Sequence, residues 1–285
     1  MNAPVLISLK ELSAFNYIEF PLVAIALKSY FDGSGKSDDQ SMTHITLGGF
    51  VGTHTAWEQC EKLWAHILSR HGAPYLHLSA AKSLNDPFTK EQGWTHAKVE
   101  ELIRDLGQNC LSRIGWDYKK QFSGVACTVN LEDYRLACKE LPGLEKVKTA
   151  EAICVDYVVT VALMHLPEDP TGTCGKAGRM EIFFDRNECF RGYLQAAWDR
   201  RKNKTDDLHK LISMIGTVRD MREVPAMQSA DMLAWHKYYA YTNFDTFSKV
   251  IVDLLCPTYS KYYDREEIVR RYKPIVERAS SGRSS

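Results

Sequence analysis

The strongest constraint on the fold lies in residues 23–35, where an apolar run of β type ends in Asp32 and is followed by Gly33, Ser34 and Gly35. Strands that are buried on both faces have such near-continuous apolar runs, and glycine lets the chain turn sharply beyond the strand. We therefore expect a central strand with a carboxylate at its carboxyl end. Asp-Gly-Ser-Gly is also a common turn sequence, because Asp side chains accept hydrogen bonds from nearby amides. The motif alone is compatible with a turn and with a functional site.

The composition is that of a folded protein without a strong overall charge. The 285 residues include 36 Lys and Arg and 36 Asp and Glu, so the formal net charge is zero and nucleic acid would have to be bound by a local basic patch. The eight cysteines contain no Cys-x-x-Cys pair, which favours buried thiols over a zinc site or disulfides. Neither a secretory signal nor an apolar run of membrane-spanning length is present. We expect a cytoplasmic protein that does not contact a membrane.

Periodic patterns predict alternating strands and helices after an N-terminal arm at residues 1–22. The predicted strands after the first are 44–52, 122–129, 179–185 and 211–218, and the predicted helices are 55–70, 90–114, 131–141, 147–166 and 188–201. Pro225 suits the first turn of a further helix that carries Asp231. Residues 242–275 also have a helical pattern. Because there is no internal repeat or low-complexity linker, we expect one α/β domain at residues 23–241 with a helical extension of the same domain at 242–285.

Three aspartates lie in positions that suit metal ligands or catalytic groups. Asp32 and Asp185 each end an apolar strand, and Asp231 shares a helix face with Gln228 and Trp235. An ionised carboxylate beside an apolar stripe is costly unless a cation or a hydrogen-bond donor meets it. Clustered carboxylates favour a divalent cation, and Mg²⁺ or Mn²⁺ prefers oxygen ligands. Two such ions about 3.5–4 Å apart would activate water and stabilise the leaving oxygen of a phosphodiester, so the pattern favours a hydrolase.

The motifs that carry these aspartates resemble the signature stretches of one family. YFDGSG at residues 30–35, IFFD at 182–185 and QSAD at 228–231 are similar to those of the domain-of-unknown-function 3800 family, which is regarded as a family of RNase H-like nucleases. The resemblance implies an RNase H-like mixed β-sheet flanked by helices, with extra helical elaborations. It further implies metal-dependent cleavage of DNA or RNA, with two Mg²⁺ or Mn²⁺ ions held by Asp32, Asp185 and Asp231 as the catalytic ligands.

One position departs from the family pattern. The first motif of the family usually reads Asp-Glu-Ser-Gly, whereas Gly33 stands here in the place of the glutamate. If that glutamate contributes to the site in relatives, this chain either lacks one function or supplies the group from elsewhere. Glu181, Glu188 and Asp39 are the candidates for its replacement.

Further residues are candidates for supporting roles. The family tends to place polar or basic residues after the short stretch that corresponds to residues 75–78, so His77 and Lys82 would orient the phosphate or move a proton. Gln228 and Ser34 would orient ligands or waters. A basic cluster after Trp198 could follow a phosphate backbone, although basic residues at a helix end often only interact with the helix dipole. The cluster consists of Arg200, Arg201, Lys202 and Lys204.

Other sequence patterns are incomplete, and one non-enzymatic alternative stays open. Residues 33–37 lack the leading glycine of a P-loop, and the Ser-x-x-Lys pattern at residues 79–82 lacks its companion motifs. The alternative is an RNase H-like module whose catalytic site has decayed and which binds nucleic acid or a protein partner. The Gly33 departure and the zero net charge favour this alternative, whereas the presence of all three aspartates favours the enzyme.

Overall fold

A mixed β-sheet forms the centre of the protein in the computed structural model. The structure describes residues 26–35, 37–39, 41–118, 121–166, 178–186, 189–201, 211–218, 220–242 and 258–281. Within these ranges six strands form one sheet in the order β5-β4-β1-β2-β3-β6. The strands are β1 (Ala26–Ser34), β2 (His44–Thr53), β3 (Phe122–Asn130), β4 (Arg179–Asp185), β5 (Ile212–Val218) and β6 (Thr258–Tyr263). The predicted α/β class and the central position of the first strand are therefore confirmed.

The strand directions bring several carboxyl ends to one edge of the sheet. β1 pairs with β2, and β2 with β3, in antiparallel fashion. β1, β4 and β5 run parallel to one another, and β6 runs parallel to β3. Because parallel strands end on the same side, the residues that close β1 and β4 are neighbours at that edge.

Helices cover both faces of the sheet. The first face is packed against α1 (His54–His71), α2 (Leu78–Lys82), α3 (His96–Asp105), α4 (Arg113–Asp117) and α9 (Pro225–Thr242). The second face is packed against α5 (Leu131–Glu140), α6 (Leu144–Val147), α7 (Ala150–Met164), α8 (Cys189–Arg201) and α10 (Arg265–Ser280). None of the helices in the described part of the chain is long and apolar enough to span a bilayer.

Two predicted helices differ from the observed elements. The helix predicted at residues 90–114 begins at His96, because the Thr95 hydroxyl caps it by accepting from the Lys98 amide, and it continues through a π-helical turn at Leu106–Ser112 into α4. The prediction of helix over residues 258–263 is wrong. The sequence Thr-Tyr-Ser-Lys-Tyr-Tyr is rich in the β-branched and aromatic side chains that suit a strand, and it forms β6 beside β3.

The C-terminal segment therefore contributes to the central sheet as well as adding a helix. Residues 243–257, which separate α9 from β6, lie outside the described ranges. Beyond β6, Asp264 caps α10 by accepting from the Glu267 amide.

The expected buried thiols are confirmed for Cys60, Cys110, Cys127 and Cys154, whereas Cys189 is exposed.

Candidate functional site

Asp32 and Asp185 are placed by a ladder of side chains on adjacent parallel strands. Phe31 of β1 is the register partner of Phe184 of β4, and each aspartate is the next residue along its strand. Neighbouring strands are about 4.8 Å apart, so the backbones that carry the two carboxylates are separated by about that distance. Both side chains are only partly buried. The two predicted strand-end aspartates are thus brought together at one edge of the sheet.

The alternation of side chains places this pair on the first face of the sheet. Two residues earlier, Tyr30 and Phe183 stack with ring centroids 5.0 Å apart within the core beneath α9. Phe31 and Phe184 point instead into the core on the opposite face. Because successive residues of a strand alternate between faces, Asp32 and Asp185 face the helix that carries Asp231.

Helix α9 approaches the sheet closely beside Asp32. Gly48 of β2 is the register partner of Asp32, and a Cβ atom at Gly48 would lie 2.9 Å from the Cα atom of Ala234 in α9. Glycine at this position therefore allows backbone contact between strand and helix. Asp231 lies three residues before Ala234, on the preceding turn. The close approach brings α9 to the face on which the strand-end aspartates lie.

Asp231 is a buried carboxylate that interacts electrostatically with Asp185. Asp231 is 7% exposed to solvent, and its Oδ2 atom accepts a hydrogen bond from the Leu78 amide at 2.9 Å. Burial raises the pKa of Asp231, and the charge of Asp185 raises it further, whereas the Leu78 bond and the charge of His77 lower it. The structure therefore places Asp231 within electrostatic reach of both Asp185 and His77.

Gln228 has a structural role that the sequence did not indicate. Its Oε1 atom accepts from Trp64 Nε1 and from the Leu76 amide, each at 2.9 Å. Its Nε2 atom donates to the carbonyls of Met221 and Arg222 at 3.2 and 3.0 Å. These four bonds use the two donors and two acceptor sites of the amide. Gln228 thus holds in place the segment that carries the Leu78 amide. Because its side-chain amide has no hydrogen-bonding group left, Gln228 cannot also orient a ligand or water directly, as the sequence predicted.

His77 and Lys82 both lie next to α9. His77 directly precedes α2, is partly buried, and its Nε2 atom lies 3.1 Å from the Ser79 hydroxyl. The Lys82 ammonium lies over two rings of α9, 5.1 Å from the centroid of Trp235 and 4.1 Å from that of Tyr239. Both residues therefore belong to the neighbourhood of Asp231, with Lys82 displaced towards the carboxyl end of the helix.

The remaining predicted residues are distributed differently. Ser34 is the last residue of β1, on the same face as Asp32 by strand alternation. Arg200 and Arg201 are the last residues of α8, which packs on the opposite face of the sheet. The side chains of these two arginines lie outside the described part of the structure, and Lys202 and Lys204 lie outside it completely. The predicted basic cluster is therefore not brought to the aspartates by any described contact.

Two of the three candidates for the missing glutamate, Glu181 and Asp39, lie in the described part of the structure. Glu181 lies four residues before Asp185, about 13 Å along the strand, and forms an ion pair of 3.9 Å with Lys28. Asp39 accepts bonds from the Ser41 amide and hydroxyl at 2.9 and 2.6 Å. Glu188 lies outside the described ranges. Glu181 therefore lies away from Asp185, whereas Asp39 hydrogen-bonds within its own loop.

The described residues do not form a closed metal site. Within the described ranges, no three His, Cys, Asp or Glu side chains lie together as a group that could hold an ion. Asp32 and Asp185 nevertheless supply carboxylate oxygens from adjacent strands, and such oxygens are the ligands that Mg²⁺ and Mn²⁺ prefer. The donor chemistry fits a hard divalent ion, and Asp231, whose Oδ2 atom accepts from the Leu78 amide, would complete the set through its other oxygen.

Lys82 lies near the carboxyl-terminal half of α9, and a second cation, Arg222, lies near the amino-terminal end of this helix. Arg222 precedes the helix, and its guanidinium carbon lies 6.0 Å from the centroid of the Tyr75 ring. Asp220 accepts from Arg222 Nε at 2.8 and 2.9 Å. The Arg222 hydrogen bonds, with a smaller contribution from the charge of Arg186, lower the pKa of Asp220 to about 2. This group of charges was missed because nothing in the local sequence pattern relates it to the aspartates.

A tyrosine and a glutamate also border the first face. Burial, together with the charges of Glu61 and Glu181, raises the pKa of Tyr30 to about 12, so this phenol stays protonated at neutral pH. Burial raises the pKa of Glu61 as well. A separate cavity of about 740 Å³ lies between α7 and α8 on the opposite face and contains none of the predicted site residues. The cavity is therefore separate from the predicted site.

Comparisons with family models, with curated proteins and with solved structures found no match to this chain.

Proposed function

We propose that this chain is a divalent-metal-dependent phosphodiester hydrolase of RNase H-like architecture that cleaves nucleic acid. One observation carries the proposal: Asp32, near the carboxyl end of β1, and Asp185, at the end of the parallel strand β4, follow a register pair and face a helix whose buried Asp231 interacts electrostatically with Asp185. The strand order β3-β2-β1-β4-β5, with an antiparallel β1–β2–β3 meander continued by parallel strands, supports the architecture.

The residues of the chain have distinct parts in this proposal. Asp32 and Asp185 would hold the metal, because rigid strands fix their backbones at the sheet edge. Bound Mg²⁺ or Mn²⁺ would activate a water and neutralise charge that develops on the phosphate. Asp231 would join the ligands, and His77, whose Nε2 lies beside the Ser79 hydroxyl, would hold or pass a proton near the leaving group.

A second candidate function is a nucleic-acid or protein binding module without catalysis. It is favoured by the hydrogen bond that the Leu78 amide donates to Asp231 Oδ2, because this bond gives the buried carboxylate a structural partner. The glycine at position 33 points in the same direction, because the glutamate of the family pattern is absent from this position. The two candidates differ in a single measurable property, which is cleavage that depends on a divalent ion.

The test compares cleavage of fluorescently labelled single-stranded DNA, single-stranded RNA, duplex DNA and RNA–DNA hybrid with Mn²⁺, Mg²⁺ or EDTA. Asp32→Asn and Asp185→Asn should each abolish cleavage, because each removes a metal-binding oxygen without changing side-chain size. Asp117→Asn is the matched control, since Asp117 is an exposed carboxylate paired with Arg113 on α4. Wild-type protein that binds these oligonucleotides but cleaves none with either ion would support the binding module instead.

A further inference from the structure

An accessible apolar surface lies beside the aspartate site, on the first face of β4 and β5. Helix α9 packs on β1, β2 and β3, and Phe183 of β4 lies at the border of the core beneath this helix. Phe183 is partly buried, and Met214 of β5 is 40% exposed although it is large and apolar. Neighbouring apolar side chains at an accessible surface can mark a binding site, so we examined what these two residues would accommodate.

Phe183, Gly216 and Met214 form a shallow cradle. Gly216 is the register partner of Phe183. A Cβ atom at Gly216 would lie 2.9 Å from Phe183 Cδ1 and 3.9 Å from Met214 Cε, so the glycine leaves space between the ring and the methionine. On the β1 side, Tyr30 stacks on Phe183 with ring centroids 5.0 Å apart and an interplanar angle of 16°. The Phe183 ring is therefore supported on one side and borders the space above Gly216 on the other.

The cradle lies on the same strands and the same face as Asp185. Phe183 precedes Asp185 by two residues on β4, so their side chains leave the backbone about 7 Å apart. Val218, the register partner of Asp185, follows Gly216 by two residues on β5. A strand of duplex nucleic acid advances about 3.4 Å per nucleotide, and an unstacked strand advances further. The cradle therefore lies one or two nucleotides from a phosphate that is bound at the aspartates.

The lining of the cradle suits the flat face of a nucleobase. Aromatic side chains stack on bases, and methionine makes favourable contacts with aromatic rings. Glu181, the register partner of Met214, forms an ion pair of 3.9 Å with Lys28, so the charges of these two neighbours balance. A neutral ring therefore fits the cradle better than a phosphate does. Bases inside a duplex are already stacked on both faces, so only an unpaired or extruded base could enter.

We propose that Phe183 and Met214 stack on an unpaired base one or two nucleotides from the scissile phosphate, so that the substrate is single-stranded nucleic acid. This inference rests on the proposed function and adds the substrate class to it. Phe183 is a positioning residue, because it fixes the strand relative to the aspartates without touching the reacting atoms. Since every base has a π-face, the contact acts alike on all sequences.

The test titrates the full-length chain in EDTA into single-stranded DNA or RNA oligonucleotides that carry one 2-aminopurine, a fluorescent base that is quenched when it stacks on a ring. We expect the wild type to quench this base and to bind single strands more tightly than matched duplexes. Phe183→Leu should remove the quenching and weaken binding to single strands by about 5-fold to 150-fold, the range for loss of one stacking aromatic residue. Phe183→Tyr should keep both properties. The slope of log K against log salt concentration should stay unchanged in Phe183→Leu, because no phosphate contact is lost.

The matched control is Tyr259→Leu, because Tyr259 is a half-exposed aromatic residue on β6, at the other end of the strand order. This variant should bind and quench as the wild type does. If Phe183→Leu fails to fold, Met214→Thr decides the matter, because the Met214 side chain lies at the surface; it should reduce affinity and quenching in the same sense.

The possible outcomes separate this inference from the proposed function. Unchanged quenching in both variants, or equal affinity for single strands and duplexes, in a wild type that cleaves would overturn this inference and leave the proposed function standing. A wild type that quenches 2-aminopurine but cleaves no strand with Mn²⁺ or Mg²⁺ would support base stacking and overturn the proposed cleavage. A wild type that neither binds nor cleaves any oligonucleotide would overturn both.

Discussion

Replacing Asp185 by asparagine should stabilise the metal-free protein. Asp32 and Asp185 start from backbone positions about 4.8 Å apart. Two unit charges at that distance repel by about 3.5 kcal/mol at an effective dielectric constant of 20 and by about 0.9 kcal/mol in bulk water. Both side chains are partly exposed, and the charge of Asp185 also raises the pKa of Asp231. We therefore expect Asp185→Asn to increase the free energy of unfolding in EDTA by about 1–2 kcal/mol at neutral pH.

The assay is urea unfolding followed by tryptophan fluorescence, in EDTA and in Mn²⁺. A ligand at one hundred times its Kd stabilises the folded state by about 2.7 kcal/mol, so Mn²⁺ should stabilise the wild type by that order and leave Asp185→Asn unchanged. The order of stability should thus reverse between the two conditions. Asp117→Asn should change the free energy of unfolding by less than about 0.5 kcal/mol in both, because Asp117 is an exposed partner of Arg113.

Two results would refute this reasoning. Destabilisation of Asp185→Asn in EDTA would mean that the carboxylate is held by favourable contacts stronger than the repulsion from Asp32. Equal stabilisation of wild type and variant by Mn²⁺ would mean that the ion binds elsewhere.

Three further predictions concern the structure around the site. Gly48→Ala should destabilise the protein by about 1–3 kcal/mol, because the new Cβ atom would lie 2.9 Å from the backbone of α9. Gly192→Ala is the control: it lies in helix α8, where an added Cβ atom would meet no neighbouring atom within 4 Å, and it should stabilise the protein by up to about 1 kcal/mol in the same denaturation assay. Burial lowers the pKa of His236 to about 4, so the stability that depends on its neutral form is full above about pH 6.5 and decreases by about 3 kcal/mol as the pH falls to about 4. His236→Gln should flatten stability measured across that pH range, whereas the same change at the exposed His54 should not. Gln228→Met should cost about 3–4 kcal/mol by leaving buried donors and acceptors unpaired. Gln228→Glu should cost at least as much, because it sets a buried carboxylate oxygen against the Met221 and Arg222 carbonyls, and a loss below about 1 kcal/mol in either variant would contradict the assigned hydrogen bonds.

The strands that carry Asp32 and Asp185 could be predicted because their signal is local, although β1 continues through Gly33 to Ser34 beyond the predicted end at Asp32. An apolar run followed by an aspartate gives both the element and the position of the carboxylate within a few residues of sequence. Pro225 similarly predicted the start of the helix that carries Asp231. That these elements meet at one edge depends on the parallel pairing of β1 with β4, which follows from the sheet as a whole.

The parts that could not be predicted depend on distant contacts. Residues 258–263 form a strand because β3 offers an edge more than a hundred residues earlier in the chain, and a short aromatic segment is ambiguous between strand and helix until that partner is known. The Leu78 amide that binds Asp231 carries no signal in its side chain. Gly48 could have been identified as a close-approach position only if the helix above it had been known.

Helix α9 recognises the neighbouring segment through backbone atoms. The bonds from the Leu76 and Leu78 amides would be donated by any residue except proline, which has no N–H group. The partly buried position 77 between them makes no such bond with α9, so its side chain is free to change without loss of the attachment. Substitutions of His77 therefore separate its proposed proton-holding role from the geometry of the aspartates, which the amides on either side of it retain.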